Sequence, residues 1–291
     1  MNYNIKLRNS PLYILTEDLS FFYRINKELN KLKIPFKILN LNKIITRHSN
    51  LILTTSAELK FVKGNNNESI ILAYSSDETF DNYIIKVLAA VRIGYKHYYS
   101  NLLFSVDPGK RTGLMIFLDD FYLYSYCCFK PAEVIYNIIR YIECFQKENP
   151  NPMNISIKLG NGVYSIIRYL IEKIYQVYEK RKNLEILLID EFRSSKIKIS
   201  QKKKPYKLSK DEFSALILAL RSGIEVDQDN YLTILNQYGR NWQNGEERIL
   251  LKSEKLKNHT SVVGEIALKI VDGELSLNSA SEELKRLNLL K

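Results

Sequence analysis

At 291 residues the chain is long enough for about two domains, which excludes a single small module or a peptide-like scaffold. Its 45% hydrophobic and 26% charged residues are ordinary globular proportions and exclude extensive disorder. The 43 Lys and Arg against 32 Asp and Glu leave a net charge of +11, a positive field that suits polyanions, nucleic acid ahead of anionic membrane surfaces.

The predicted elements begin with a buried strand at Leu12–Thr16 and a helix over Leu19–Leu32, where Leu19, Phe22, Leu29 and Leu32 share one face. Pro35 marks a break. Further strands are expected at Ile34–Leu39, Leu51–Thr54 and Ser69–Ala73, then a helix through Tyr83–Ile93. Strands alternating with helices imply a small, Rossmann-like parallel α/β domain over residues 1–100. Thr16, Glu17, Asp18 and the Thr54–Ser56 cluster sit at strand ends, where ligands gather in such sheets, but caps and first-turn acids explain them better.

From Leu102 the pattern becomes a three-stranded meander, LLFSVDPGKRTGLMIFLDDFYLYSYCCF. Pro131 opens a helix running to Gln146, Ile155–Leu159 is a strand, and Gly160 and Gly162 lead into a helix over Val163–Tyr178. Leu184–Asp190 is a strongly apolar strand, and Leu208–Arg221 is a closing helix ended by Gly223. The order over residues 101–224 is βββαβαβα. Residues 225–291 are expected to form a mostly helical extension, with two short helices joined around Gly273; Ser276 or Asn278 caps the second, and the pair reads as a docking hairpin in preference to a helix-turn-helix reader. Trp242 reads as a core residue.

Three cysteines exclude a disulfide framework, and the adjacent Cys127 and Cys128 read as buried thiols. The opening MNYNIKLRNS lacks a signal-peptide core, and no segment reaches the roughly 18 uninterrupted apolar residues of a membrane span. A soluble, cytoplasmic protein is expected. His48, His97 and His259 have no zinc-site spacing, and GKRTG lacks the upstream glycine of a phosphate-binding loop.

Three acids stand at exposed element ends. Asp107 ends a strand ahead of Pro108 and Gly109; Asp190 and Glu191 end the most apolar strand, and only one of the two can face the side of Asp107. Asp211 falls in the first turn of the closing helix, behind a Ser209–Glu212 capping box. Carboxylates from strand ends and a helix start are the hard oxygen donors that Mg²⁺ or Mn²⁺ takes. Two such ions about 4 Å apart activate a water and stabilise the leaving oxygen of a phosphodiester.

These segments resemble the RuvC/YqgF group of the RNase H-like superfamily. SVDPGKRTGLMIF is similar to its first motif, LLIDEFRSS to the YqgF-type Asp-Glu-Arg-x-Thr segment, and KDEFSALILAL to the Val-Asp-x-x-Ala-Ala-x-x-Ile-Leu helix, with Ser214 and Ala215 at the small pair. Phe192 stands where the family has arginine, although Arg193 follows; Ser194 and Ser195 stand where a threonine pair is usual; and ISIKLGNG carries no acid. The resemblance, over residues 101–224, implies an RNase H-like domain with Asp107, Glu191 and Asp211 as catalytic, metal-binding carboxylates holding two Mg²⁺ or Mn²⁺ ions. It implies an endonuclease for structured nucleic acid, branched DNA foremost, with DNA favoured over RNA; an RNA-processing nuclease or a non-catalytic binder on the same scaffold are the other readings. A homodimer would suit a symmetric junction.

The segment RSSKIKISQKKKPYKLSK joins the second and third motifs and holds Arg193, Lys202, Lys203, Lys204 and Lys207 with no intervening acid. With Lys110 and Arg111 beside Asp107, these are the candidate phosphate contacts.

Overall fold

The computed structural model describes residues 11–40, 51–65, 69–147, 149–179, 181–191, 208–243, 255–287 and 289. The chain divides into two compact units, Met1–Tyr98 and Tyr99–Lys291.

The first unit runs β1 (Leu12–Leu15), α1 (Leu19–Lys31), β2 (Lys37–Leu39), β3 (Leu51–Thr55), α2 (Leu59–Asn65), β4 (Ile70–Tyr74) and α3 (Phe80–Arg92). Its four strands lie in the order β2-β1-β3-β4, all parallel. Every residue of β3 is buried, which is why it reads as an unbroken apolar run rather than an alternation. In α1, Phe21, Ile25 and Leu29 recur every fourth residue and are the buried face. The Asp18 side chain accepts the Phe21 N–H and caps this helix. α3 begins at Phe80, ahead of the expected Tyr83, because Thr79 supplies its cap. β2 starts later than expected because Ile34 instead closes the end of α1, donating to the Leu29 carbonyl.

The second unit contains β5 (Asn101–Asp107), β6 (Thr112–Leu118), β7 (Phe121–Cys128), α4 (Pro131–Gln146), β8 (Asn154–Gly160), α5 (Tyr164–Tyr178), β9 (Leu184–Ile189), α6 (Lys210–Ala219), β10 (Ile224–Val226), α7 (Tyr231–Gln243), α8 (Lys255–Val271) and α9 (Leu277–Arg286). The sheet order is β10-β9-β8-β5-β6-β7. β5, β6 and β7 pair antiparallel as the meander, β8 and β9 continue from β5 in parallel, and β10 returns antiparallel. The fold is therefore mixed α/β, with a parallel sheet in one unit and a mixed sheet in the other.

All residues of β6 are buried, so both faces of the sheet are covered along this strand. Met115 and Phe117 share one core with Phe213, Leu216 and Leu220 of the α6 region and with Ile266, Ile270, Leu277 and Leu284 of α8 and α9. The C-terminal helices thus dock on the sheet. Asp119 and Asp120, both at positive φ, make the tight β6–β7 turn. The Asp119 carboxylate accepts the Ser100 and Asn101 N–H groups, while Asp120 accepts from Leu277 N–H and the Asn278 amide, pinning the start of α9. Ser276 is the cap of α9. Among the described residues no helix is long and apolar enough to cross a membrane.

Candidate active site

β5, β8 and β9 are parallel neighbours, so their carboxyl ends lie along one edge of the sheet. Asp107 is the last residue of β5, and Glu191 lies two residues beyond β9. The third acid arrives from α6. Ser209 caps that helix by accepting the Glu212 N–H, and Glu212 returns the bond to the Ser209 N–H, placing Asp211 in the first turn as the spacing predicts.

Two contacts hold α6 against the strands. A Cβ on Gly113 would lie 2.1 Å from the Asp211 carbonyl oxygen, so only glycine lets β6 approach the helix start this closely. The buried Ser105 hydroxyl donates to the Ala215 carbonyl at 2.7 Å, tying β5 to the same helix. Ser214, buried in α6, hydrogen-bonds to Asp107. It therefore does more than the small-residue packing the sequence suggests.

Asp107 is the electrostatic centre of the group. Burial first, and then the charge of Asp211, raise its pKa from 3.8 to about 6, against the Ser214 hydrogen bond and the charge of Lys210. Glu191 is raised from 4.5 to about 7 by burial and by Asp107, against the hydrogen bond from Gly162 N–H. The strand-end ambiguity resolves toward Glu191, since Asp190 is exposed while Glu191 is the partly buried acid that senses Asp107.

Glu191 lies in a cradle that the sequence hinted at only as a helix start. Gly162 N–H donates to Oε1 at 2.8 Å, and Glu191 N–H donates to the Asn161 side chain at 3.2 Å. A Cβ on Gly160 would meet Oε1 at 2.3 Å, and one on Gly162 would meet Oε2 at 2.2 Å. Gly-Asn-Gly after a strand was the available signal. Val163, the N-cap of α5, offers no side-chain cap, and the Glu191 carboxylate is the anion at that helix end. Arg221, missed in the sequence reading, donates to the Asp190 carbonyl, and its charge favours ionised Glu191.

Asp211 has a partner of a different kind. Arg111 Nε lies 3.2 Å from its Oδ2, with the arginine 54% exposed, and the Cys127 thiol lies 3.9 Å from the same oxygen. Cys127 is thus half-buried at the edge of the site, whereas Cys128 is buried with its thiol pushed up to about 11 by burial and nearby acids, as an inert core thiol. Lys110 is exposed on the turn after Asp107. Arg193, Lys202, Lys203, Lys204 and Lys207 lie outside the described residues.

The donor set, three carboxylates and no histidine, with Asp107 and Glu191 raised in proton affinity, suits a hard divalent cation such as Mg²⁺ or Mn²⁺. Among the described residues, however, no three His, Cys, Asp or Glu side chains are grouped as a ready metal cage. Glu191 is turned onto Gly162 and Asp211 onto Arg111, so the acids share an edge without closing on one point.

No family model and no curated protein matches the sequence. A solved structure, that of Aa-Ago with externally bound siRNA, is similar to 64% of this chain at 14% identity, with a TM-score of 0.23. The chain spans 36% of that protein's length.

Proposed function

We propose that the second unit carries a metal-dependent nuclease of the RNase H-like superfamily, nearest in its motifs to the RuvC/YqgF group, with residues 101–224 as the catalytic domain. One observation carries this reading: carboxylates from the ends of β5, β9 and the start of α6 gather at one sheet edge, where burial and mutual repulsion raise Asp107 and Glu191 to about 6 and 7. Such a gathering costs stability, and sites that do chemistry are where that cost is met. The antiparallel β5–β7 meander continued by parallel β8 and β9, with α6 packed across it, supports the superfamily.

In this reading Asp107, Glu191 and Asp211 would hold Mg²⁺ or Mn²⁺, and the bound metal supplies charge neutralisation and an activated water. Glu191, steadied by the Gly162 N–H, would serve as a ligand that gives up its proton when the metal binds. Lys110 and the basic residues Arg193, Lys202, Lys203, Lys204 and Lys207 would hold phosphates of a nucleic-acid substrate. Branched DNA is the substrate we propose first, with RNA second, and a two-fold dimer would match the symmetry of a junction.

The test is cleavage of labelled four-way junction, duplex and single-stranded DNA and RNA with Mg²⁺ or Mn²⁺. Asp107→Asn and Asp211→Asn should each abolish cleavage while sparing binding; full activity in both variants would refute the assignment. A second reading, a non-catalytic binder on this scaffold, is favoured by the Arg111–Asp211 ion pair, which already supplies one carboxylate with a cation. It expects salt-sensitive nucleic-acid binding that divalent ions leave unchanged.

A further inference from the structure

Arg111 Nε lies 3.2 Å from Asp211 Oδ2, so one of the three candidate ligands already faces a cation. It stands in the β5–β6 turn, two residues before Gly113, whose lack of a side chain brings Asp211 within reach. The Asp211 end of the pair is built on fixed backbone, since Ser209 caps α6 and Ser105 ties α6 to β5. The arginine side chain, by contrast, faces solvent at 54% exposed, while the aspartate is 23% exposed.

We propose that Arg111 is a displaceable internal cation that occludes Asp211 until a phosphate draws it away, coupling metal binding to nucleic-acid binding. The inference rests on the nuclease reading and adds its regulation. A half-exposed ion pair is weakly held, so a competitor of modest affinity can exchange it. Arginine does not lose its charge, so the carboxylate is freed only by movement of the guanidinium. A phosphodiester offers that guanidinium two oxygens in bidentate geometry, a better partner than the single Nε contact made with Asp211. Once Arg111 moves, Asp211 is free to join Asp107, whose proton affinity it already raises. By linkage, nucleic acid that tightens metal binding is itself bound more tightly when metal is present.

The test is Mn²⁺ binding followed by electron paramagnetic resonance in the wild-type protein, Arg111→Ala, Arg111→Lys and Lys110→Ala, with and without a phosphorothioate single-stranded DNA. Without DNA, Arg111→Ala should bind Mn²⁺ about threefold or more tighter than wild type. Lys110→Ala, which removes the same charge next door, should shift it less. DNA should tighten Mn²⁺ binding in the wild type and in Arg111→Lys, and leave Arg111→Ala unchanged. Arg111→Ala affinity equal to or weaker than wild type, or an equal shift in Lys110→Ala, would overturn the proposal. Mn²⁺ binding by the wild type that is lost in Asp107→Asn yet indifferent to Arg111→Ala overturns the gate alone. No Mn²⁺ binding in any variant overturns the gate and the metal reading together.

Discussion

Asp107 and Glu191 bind their protons more tightly in the folded chain than in the unfolded one, and the sign of the resulting pH dependence follows. A raised carboxylate favours folding at low pH, and that advantage is lost as pH rises from about 4 to about 6 for Asp107 and from about 4.5 to about 7 for Glu191. Glu191→Gln should therefore flatten the decline in melting temperature between pH 5 and about 7 while removing cleavage; an acid whose pKa folding lowers would give a slope of the opposite sign. Lys158 works in another window. Its ammonium donates to the Ala219 and Arg221 carbonyls at the end of α6, yet burial lowers its pKa from 10.5 to about 8. The folded chain then sheds this proton first, so stability from this group should rise between about pH 8 and 10.5, and Lys158→Met should lose that rise in thermal melts. Asp107 and Asp211 were legible in the sequence because turn and capping signals surround them. The Arg111 contact, the Ser214 hydrogen bond and the Glu191 cradle were not, since each joins residues distant along the chain.

At the scale of elements, α6 decides whether the site exists. Its ends are held by the Ser209 cap and Lys158, and its flank by Gly113 and Ser105. Gly113→Ala should push the Asp211 backbone away and destabilise the unit by about 2 kcal/mol or more, read as a lower urea midpoint with loss of cleavage. An unchanged midpoint would show that the close approach is not required. Elements with punctuation were legible: α4 begins at Pro131 and ends at Gln146 as its sequence predicts, and the three-strand meander needed only its turn residues. The short α2 and β10 were not, because seven and three residues carry too little periodicity to stand out from loops. α7 was hidden by the polar character of GRNWQNGEER.

Over the whole molecule, the surplus of positive charge carries its own prediction. The +11 charge should give nucleic-acid affinity that falls steeply with salt whether or not cleavage occurs, measured by fluorescence anisotropy across a salt series. In the first unit the hydroxyls of Thr16, Thr54 and Thr55 converge on the Glu58 carboxylate, which also accepts the Glu17 N–H at 2.6 Å. Burial works against that carboxylate, but these donors outweigh it and hold its pKa below the ordinary glutamate value. The strand-end cluster thus secures the start of α2 to the sheet; of the caps and first-turn acids expected there, Asp18 caps α1, while the first turn of α1 carries no acid and the threonines donate to Glu58. The parallel and mixed sheets were legible from the alternation of strands and helices. That the three acids lie along one sheet edge follows the motif order, whereas the Arg111–Asp211 pair and the turn of Glu191 onto Gly162, which keep them from closing on one point, were beyond any local pattern.

The convergence of the carboxylates is tested most directly by the melting temperature at pH 7 with and without Mn²⁺, in the wild type and in Asp107→Asn. If the acids repel one another and share a cation, Mn²⁺ raises the wild-type value, while the variant starts about 3 °C or more higher and does not respond. Equal responses to Mn²⁺ in the two proteins, or a variant less stable than the wild type, would contradict a shared metal site at Asp107.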